Sequence, residues 1–230
     1  PLPGSPHPVV TVLGQIPYEQ LGITDAHNHV WIEPIPGASE GSPVLNQYGQ
    51  ILDELIKYRQ QGGLSLLDCQ PAGCGRNGNK LLELSRNSGV NIVACTGFHR
   101  PRYYSPEFWL WQADAQKVAD FLCSELQEGL VETLASTVPC RAGFIKIALE
   151  ASWRDCPLAA LEGAAQSARK TGALIEIHTE KGALAEKAFN YFEANGIFPQ
   201  QLVFCHMDKR PDFSLHKALA SLGVLLEYDT

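Results

Sequence analysis

The stretch GITDAHNHVWIEP, residues 22–34, decides how the rest of the chain is read. A short apolar run ends in two histidines one residue apart, His27 and His29. Residues i and i+2 of a β-strand point to the same face, so both imidazoles would stand side by side at a strand end. There they can grip one metal ion from one direction, or serve as ordinary polar residues on the rim of a sheet. The other strand ends must decide.

Six further apolar runs read as buried strands: LSLLDCQ (64–70), NIVACTG (91–97), AGFIKIALE (142–150), ALIEIHT (173–179), LVFCHMD (202–208) and VLLEYD (224–229). They lack the polar alternation of a half-exposed sheet, which favours parallel strands covered on both faces. Between them lie helical stripes. Tyr48, Ile51, Leu52 and Leu55 form one, Leu158, Leu161, Ala165 and Ala168 a second, and Leu184, Ala188, Phe189 and Phe192 a third. Gly62, Gly89, Gly172, Gly196 and Gly223 stand just past the predicted helices, as C-terminal caps.

Repeated strand–helix units build either an open doubly wound sheet or a (β/α)8 barrel. The placement of polar residues separates the two. The strand ends here carry His27 and His29, Asp68, His99, Lys146, His178, His206 with Asp208, and Asp229. Chemistry gathered from many strand ends onto one rim is the barrel arrangement. The expectation is an α/β fold, a (β/α)8 TIM barrel that stops after its seventh strand. Residues 1–20, rich in Pro and Gly, are expected as an irregular arm, and residues 21–230 as a single barrel domain lacking the eighth strand.

Composition narrows the function. Hydrophobic residues make up 45% of the 230-residue chain and charged residues 19%, enough for a sizeable core. The formal charge is −7 without a Lys/Arg run, which argues against a nucleic-acid surface. Seven scattered cysteines form no C-x-x-C pair and fit reduced, buried thiols. No apolar stretch is long enough to cross a bilayer. A soluble cytoplasmic protein, with no membrane partner, is expected.

Taken singly, His178 or His206 is an unremarkable hydrogen-bonded core residue. Four imidazoles converging from three strand ends are different, because neutral nitrogen donors suit zinc or another late transition ion. Lys146 lies mid-run in AGFIKIALE, where an unpaired ammonium is costly to bury. It either pairs with Glu150 or Glu176, or has taken up CO2 as a carbamate whose two oxygens bridge two cations.

The segments TVLGQIPYEQLGITDAHNHV, GCGRNGNKLLELSRNSGVNIVACTGF, RAGFIKIA, TGALIEIHT and CHMDKRPDFSLHKALASLGVLLEYD resemble, in order and spacing, the phosphotriesterase family. That family includes phosphotriesterase-like lactonases and belongs to the amidohydrolase superfamily. The resemblance implies two divalent metal ions, zinc being expected. His27 and His29 would hold the more buried ion and His178 and His206 the more exposed one, with carboxylated Lys146 and a hydroxide bridging them. It also implies hydrolysis of an ester-like bond in a small molecule, a lactone first and an organophosphate ester second, and a possible homodimer. A non-catalytic truncated barrel is the alternative of another class. His99 falls where lactonases of the family often carry a tyrosine, so His99 and its neighbour Arg100 are expected to touch substrate. Asp208 is expected to orient ligands or pass protons, or to cap a helix.

Two departures stand out. The family's H-E-H is here H-N-H, with Asn28 in the middle, and Asn28 should point away from the metals. The family's eighth strand supplies an aspartate ligand that accepts a proton from the bridging water, and this chain is expected to be a fragment ending before it. QPAGCGRNGN (70–79) fits neither a P-loop nor a dinucleotide fingerprint and reads as a tight β–α turn with Arg76 in a salt bridge. The aromatic segment FHRPRYYSPEFWLW (98–111) reads partly as packing and partly as pocket wall.

Overall fold

A computed structural model describes residues 8–229. Part of the expected irregular arm is ordered as a hairpin of β1 (Val9–Thr11) and β2 (Gly14–Ile16). Thr11 holds its two-residue loop: its Oγ1 donates to the Gly14 carbonyl at 2.8 Å and accepts from the Leu13 N–H at 3.2 Å. Residues 1–7 of that arm lie outside the described residues.

The alternation read from the sequence follows: β3 (Ile23–Asn28), α1 (Tyr48–Gln60), β4 (Gly63–Asp68), α2 (Gly78–Ser88), β5 (Asn91–Gly97), α3 (Ala115–Gln127), β6 (Phe144–Ala148), α4 (Leu158–Thr171), β7 (Ile175–His178), α5 (Ala185–Ala194), β8 (Leu202–Phe204), α6 (Phe213–Ser221) and β9 (Leu225–Leu226). Strands β3 to β9 pair in chain order, each parallel to the next. The sheet curls into a TIM-type α/β barrel, open between β3 and β9 among the described residues.

Local chemistry sets the helix bounds. Asn77 caps α2 by accepting from the Lys80 N–H at 3.1 Å, and the helix ends at Gly89 in the left-handed region. Helix α4 is alanine-rich and buries Leu161, Ala164, Ala165 and Ala168. Full burial of Leu161 alone contributes about 2 kcal/mol. Gly163 lets α3 come close, since a Cβ there would lie 2.6 Å from the Val118 side chain.

Two apolar clusters fill the space between sheet and helices, one under α3, α4 and α5 and one under α1 and α2. A third lies inside the barrel, where Val9 of the hairpin and Leu67 pack on Cys69, Val93, Cys95 and Phe144. This apolar floor supports the polar layer above it. Lys146 follows Phe144 by two residues on β6 and therefore faces the same interior, nearer the strand ends. Gly97 presses β5 against β6 at that level. It has φ +117°, and a Cβ there would fall 1.8 Å from the Lys146 carbonyl oxygen.

The turn at 70–79 carries Arg76 into a buried network, as its sequence suggests. The guanidinium donates to Glu132 at 2.7 Å, to the Cys95 carbonyl at 2.7 Å and to both oxygens of Glu125. All seven cysteines are buried and free of disulfides. No helix among the described residues is long and apolar enough to cross a membrane.

Candidate metal centre

His27 is the penultimate residue of β3, and His29 follows just past the strand. His178 is the last residue of β7, and His206 stands two residues beyond β8 with φ +64°. The fold brings these four rings together. Ring centroids are 5.6 Å apart for His27 and His29, 4.9 Å for His27 and His206, and 4.7 Å for His178 and His206. Lys146 Nζ reaches to 3.4 Å from His27 Nε2. All five residues proposed as ligands from the sequence thus meet at one place, and Asn28 turns away to donate to Asp25 at 2.7 Å.

Each imidazole is oriented from behind. His29 Nδ1–H donates to Gln70 Oε1 at 2.7 Å. The Gln70 amide group in turn donates to the Cys74 carbonyl, which forces Oε1 towards the histidine. His27 Nδ1 lies 3.1 Å from Glu227 and 3.2 Å from Glu176. His206 Nδ1 lies 2.8 Å from both oxygens of Asp229, and His178 Nε2 lies 3.2 Å from Glu180. With a proton held on each of these nitrogens, the lone pairs left over are Nε2 of His27, His29 and His206 and Nδ1 of His178. The last two already face each other at 3.0 Å.

Burial keeps His27, His29 and His178 neutral. Burial first, and Lys146 second, pull His27 down to about 3, His29 to about 4 and His178 to about 3. A neutral imidazole with a hydrogen-bonded back nitrogen is the form that binds a metal ion. The residues present fit divalent cations: imidazoles from three strand ends gather at one place, with carboxylates and an amide behind them fixing their tautomers.

Lys146 is fully buried and donates to Glu176 Oε1 at 2.6 Å. This is one of the two ion pairs its sequence position allowed. Burial opposes the ammonium, but the Glu176 carboxylate, by charge and by hydrogen bond, outweighs it and holds its pKa well above the ordinary value. Glu176 Oε1 also accepts from the thiols of Cys69 at 3.0 Å and Cys205 at 3.4 Å. Below the imidazole rim, His27, Glu176, Cys205 and Glu227 offer donor atoms within 4.8 Å of one another. Nothing in the sequence reading singled out Gln70, Glu227 or Asp229 as partners of the histidines. The available signal was register: Glu227 precedes Asp229, and Glu176 precedes His178, by the two residues that return a strand to its inner face.

The remaining expectations divide. His99 is buried beside the centre, its ring 4.9 Å from His178 and 4.8 Å from Tyr103. Its Nδ1 accepts from the Arg100 N–H at 2.8 Å. Arg100, expected at the substrate, is turned aside because two carboxylates claim it, Glu150 at 2.8 Å and Glu180 at 2.5 Å. Asp208 touches none of the four histidines and caps no helix. Its Oδ1 accepts from the Asp229 N–H at 2.9 Å, one contact removed from His206. Above the rings opens a cleft of about 540 Å³ lined by all four, with His99, Tyr103, Gln70, Cys74 and the segment between Ile32 and Leu45.

Comparison with known proteins places the chain among relatives of the same fold. A phospho-furanose lactonase of Mycoplasmopsis synoviae (strain 53) is 30% identical over 231 residues, covering 95% of this chain and 65% of the relative. A phospho-furanose lactonase of Mycoplasmopsis agalactiae is 28% identical over 239 residues, covering 96% and 66%. The crystal structure of an amidohydrolase from Mycoplasma synoviae superposes with a TM-score of 0.86 at 28% identity, covering 99% of this chain and 68% of that one. The chain thus spans about two thirds of the length of these relatives. The profile of the phosphotriesterase family matches residues 7–230, and the chain belongs to that family.

Proposed function

We propose that the protein is a metal-dependent hydrolase of an ester-like bond, acting on a small lactone. The observation that carries this reading is the gathering of four imidazoles, each held from behind, in the lining of one cleft, with Lys146 buried against His27. The relatives named lactonases support the choice of substrate. His27 and His29 would hold one divalent ion and His178 and His206 a second, with zinc the expected metal. Lys146, as its carbamate, would join them once Glu176 is relieved of the ammonium. When bound, such a pair polarises an ester carbonyl and lowers the pKa of water.

The chain's own residues do the rest. Gln70, Glu227 and Asp229 keep protons on the Nδ1 atoms of His29, His27 and His206, so their Nε2 lone pairs stay aimed inward. Asp229 is the nearest proton acceptor behind His206. Burial raises its pKa and the hydrogen bonds from Lys209 and His206 lower it, and the hydrogen bonds win, holding its carboxyl below the usual range. His99 carries its proton on Nε2, since Nδ1 accepts from Arg100, and so presents a hydrogen-bond donor beside His178. The seven free thiols are consistent with a reducing compartment such as the cytoplasm.

The test is a screen of γ- and δ-lactones against paraoxon-like phosphotriesters, with divalent metal and bicarbonate supplied. Lactone turnover that disappears on chelation and returns with zinc is expected. Faster turnover of a phosphotriester than of any lactone would overturn the substrate assignment.

A further inference from the structure

Three successive strands send charged residues to one spot on the rim. Arg100 lies three residues past β5, Glu150 two past β6 and Glu180 two past β7. The Arg100 guanidinium spans the two acids. Its Nε–H and one terminal N–H group donate to Glu150 Oε2 at 3.0 and 2.8 Å, and its other terminal group donates to Glu180 Oε1 at 2.5 Å. The same Glu180 oxygen lies 3.2 Å from His178 Nε2. Among the four histidines His178 is the one held by Nε2, with Nδ1 left for a cation; the other three are held by Nδ1.

We infer that Arg100 is a positioning residue that locks Glu180 behind His178 and thereby keeps the His178 proton on Nε2 and its lone pair on Nδ1. The inference rests on the metal-centre reading and concerns how one of its ligands is held. The Glu180 side chain is 34% exposed, so water competes for its oxygens, and holding it in one rotamer costs entropy. An ion pair at such exposure adds little stability, but the planar fork of an arginine fixes direction. Glu150 grips two N–H groups of that fork and leaves the third aimed at Glu180. Without Arg100, Glu180 is free to turn to solvent, and His178 loses the acceptor for its Nε2–H. The ring then gains by carrying its proton on Nδ1, where His206 Nε2 stands 3.0 Å away as an acceptor. That tautomer consumes the lone pair a cation needs.

The experiment reads the His178 tautomer by NMR of the metal-free protein labelled with 15N-histidine, its signal assigned by loss in His178→Asn. In the wild type the proton is expected on Nε2. In Arg100→Gln and in Glu180→Ala the Nδ1–H form should appear. Arg102→Gln removes the same charge from an arginine that lies over the Tyr103 ring, and should leave His178 as in the wild type. Zinc affinity, by competition with a chromophoric chelator, should fall about tenfold in Arg100→Gln and about 10- to 100-fold in Glu180→Ala. Because Arg100 acts through Glu180, the double variant should bind no more weakly than Glu180→Ala. A His178 signal that Arg100→Gln leaves unmoved, an equal change in Arg102→Gln, or losses that add in the double variant overturn the inference. Should the wild type take up no zinc, the metal-centre reading falls, and the His178 signal alone decides the inference.

Discussion

Asp68→Asn is expected to stabilise the protein above neutral pH and to leave it unchanged in acid. Asp68 ends β4 fully buried; its Oδ1 accepts from the Val30 N–H at 2.7 Å, and its Oδ2 has no partner. Burial raises its pKa from 3.8 to about 7, against the weaker opposing pull of the Val30 hydrogen bond and Arg76. A carboxyl raised on folding favours the native state in its protonated form. Its contribution is therefore fully present below pH 3.8 and is lost as pH rises through about 7. At about 1.36 kcal/mol per pH unit, the loss across that window is about 4 kcal/mol. Asparagine copies the neutral acid, keeps an acceptor for Val30 and cannot ionise. Its amide hydrogens stand where Oδ2 lacked a partner, which takes back a part of the gain. The variant should be more stable than wild type by about 1–3 kcal/mol at pH 8, and no more stable at pH 4. Urea unfolding of the metal-free proteins, followed by tryptophan fluorescence at both pH values, measures the difference. Parallel pH dependence of the two proteins, or a less stable variant at pH 8, would refute the reasoning.

Two other substitutions probe the frame of the site. Gln70→Ala removes the acceptor that fixes the His29 tautomer, and should weaken zinc affinity about 10- to 100-fold in competition with a chromophoric chelator; unchanged affinity would count against that role. Gly97→Ala drives a Cβ into the Lys146 carbonyl and should destabilise by at least about 3 kcal/mol in denaturant titration. Gly172→Ala, also at positive φ but in open space, should lose only about 1 kcal/mol, and equal losses at the two positions would show that backbone strain alone decides.

The barrel strands were legible because each is a short apolar run bounded by turn residues and buried on both faces. The ligand candidates were legible because imidazoles and a lysine in such runs are out of place unless they share a task. The hairpin at 9–16 was not, since its loop is Val12–Leu13 rather than a glycine-containing pair, and each strand has only three residues. The residues behind the histidines were harder still. Gln70 and Asp229 reach His29 and His206 from the neighbouring strand, 41 and 23 positions away, while only the curl of the sheet brings Glu227 to His27 across 200 positions. Arg100 is the converse case. Its position beside His99 suggested substrate, while the acids that hold it, Glu150 and Glu180, come from the ends of two other strands.

The account stands on Lys146 as the group that joins two cations beneath the four imidazoles. The most direct measurement is metal content per chain, by elemental analysis after loading with zinc and bicarbonate, in wild type and in Lys146→Ala. About two ions in the wild type and at most one in the variant are expected. Two ions retained by the variant, or none in the wild type, would contradict it.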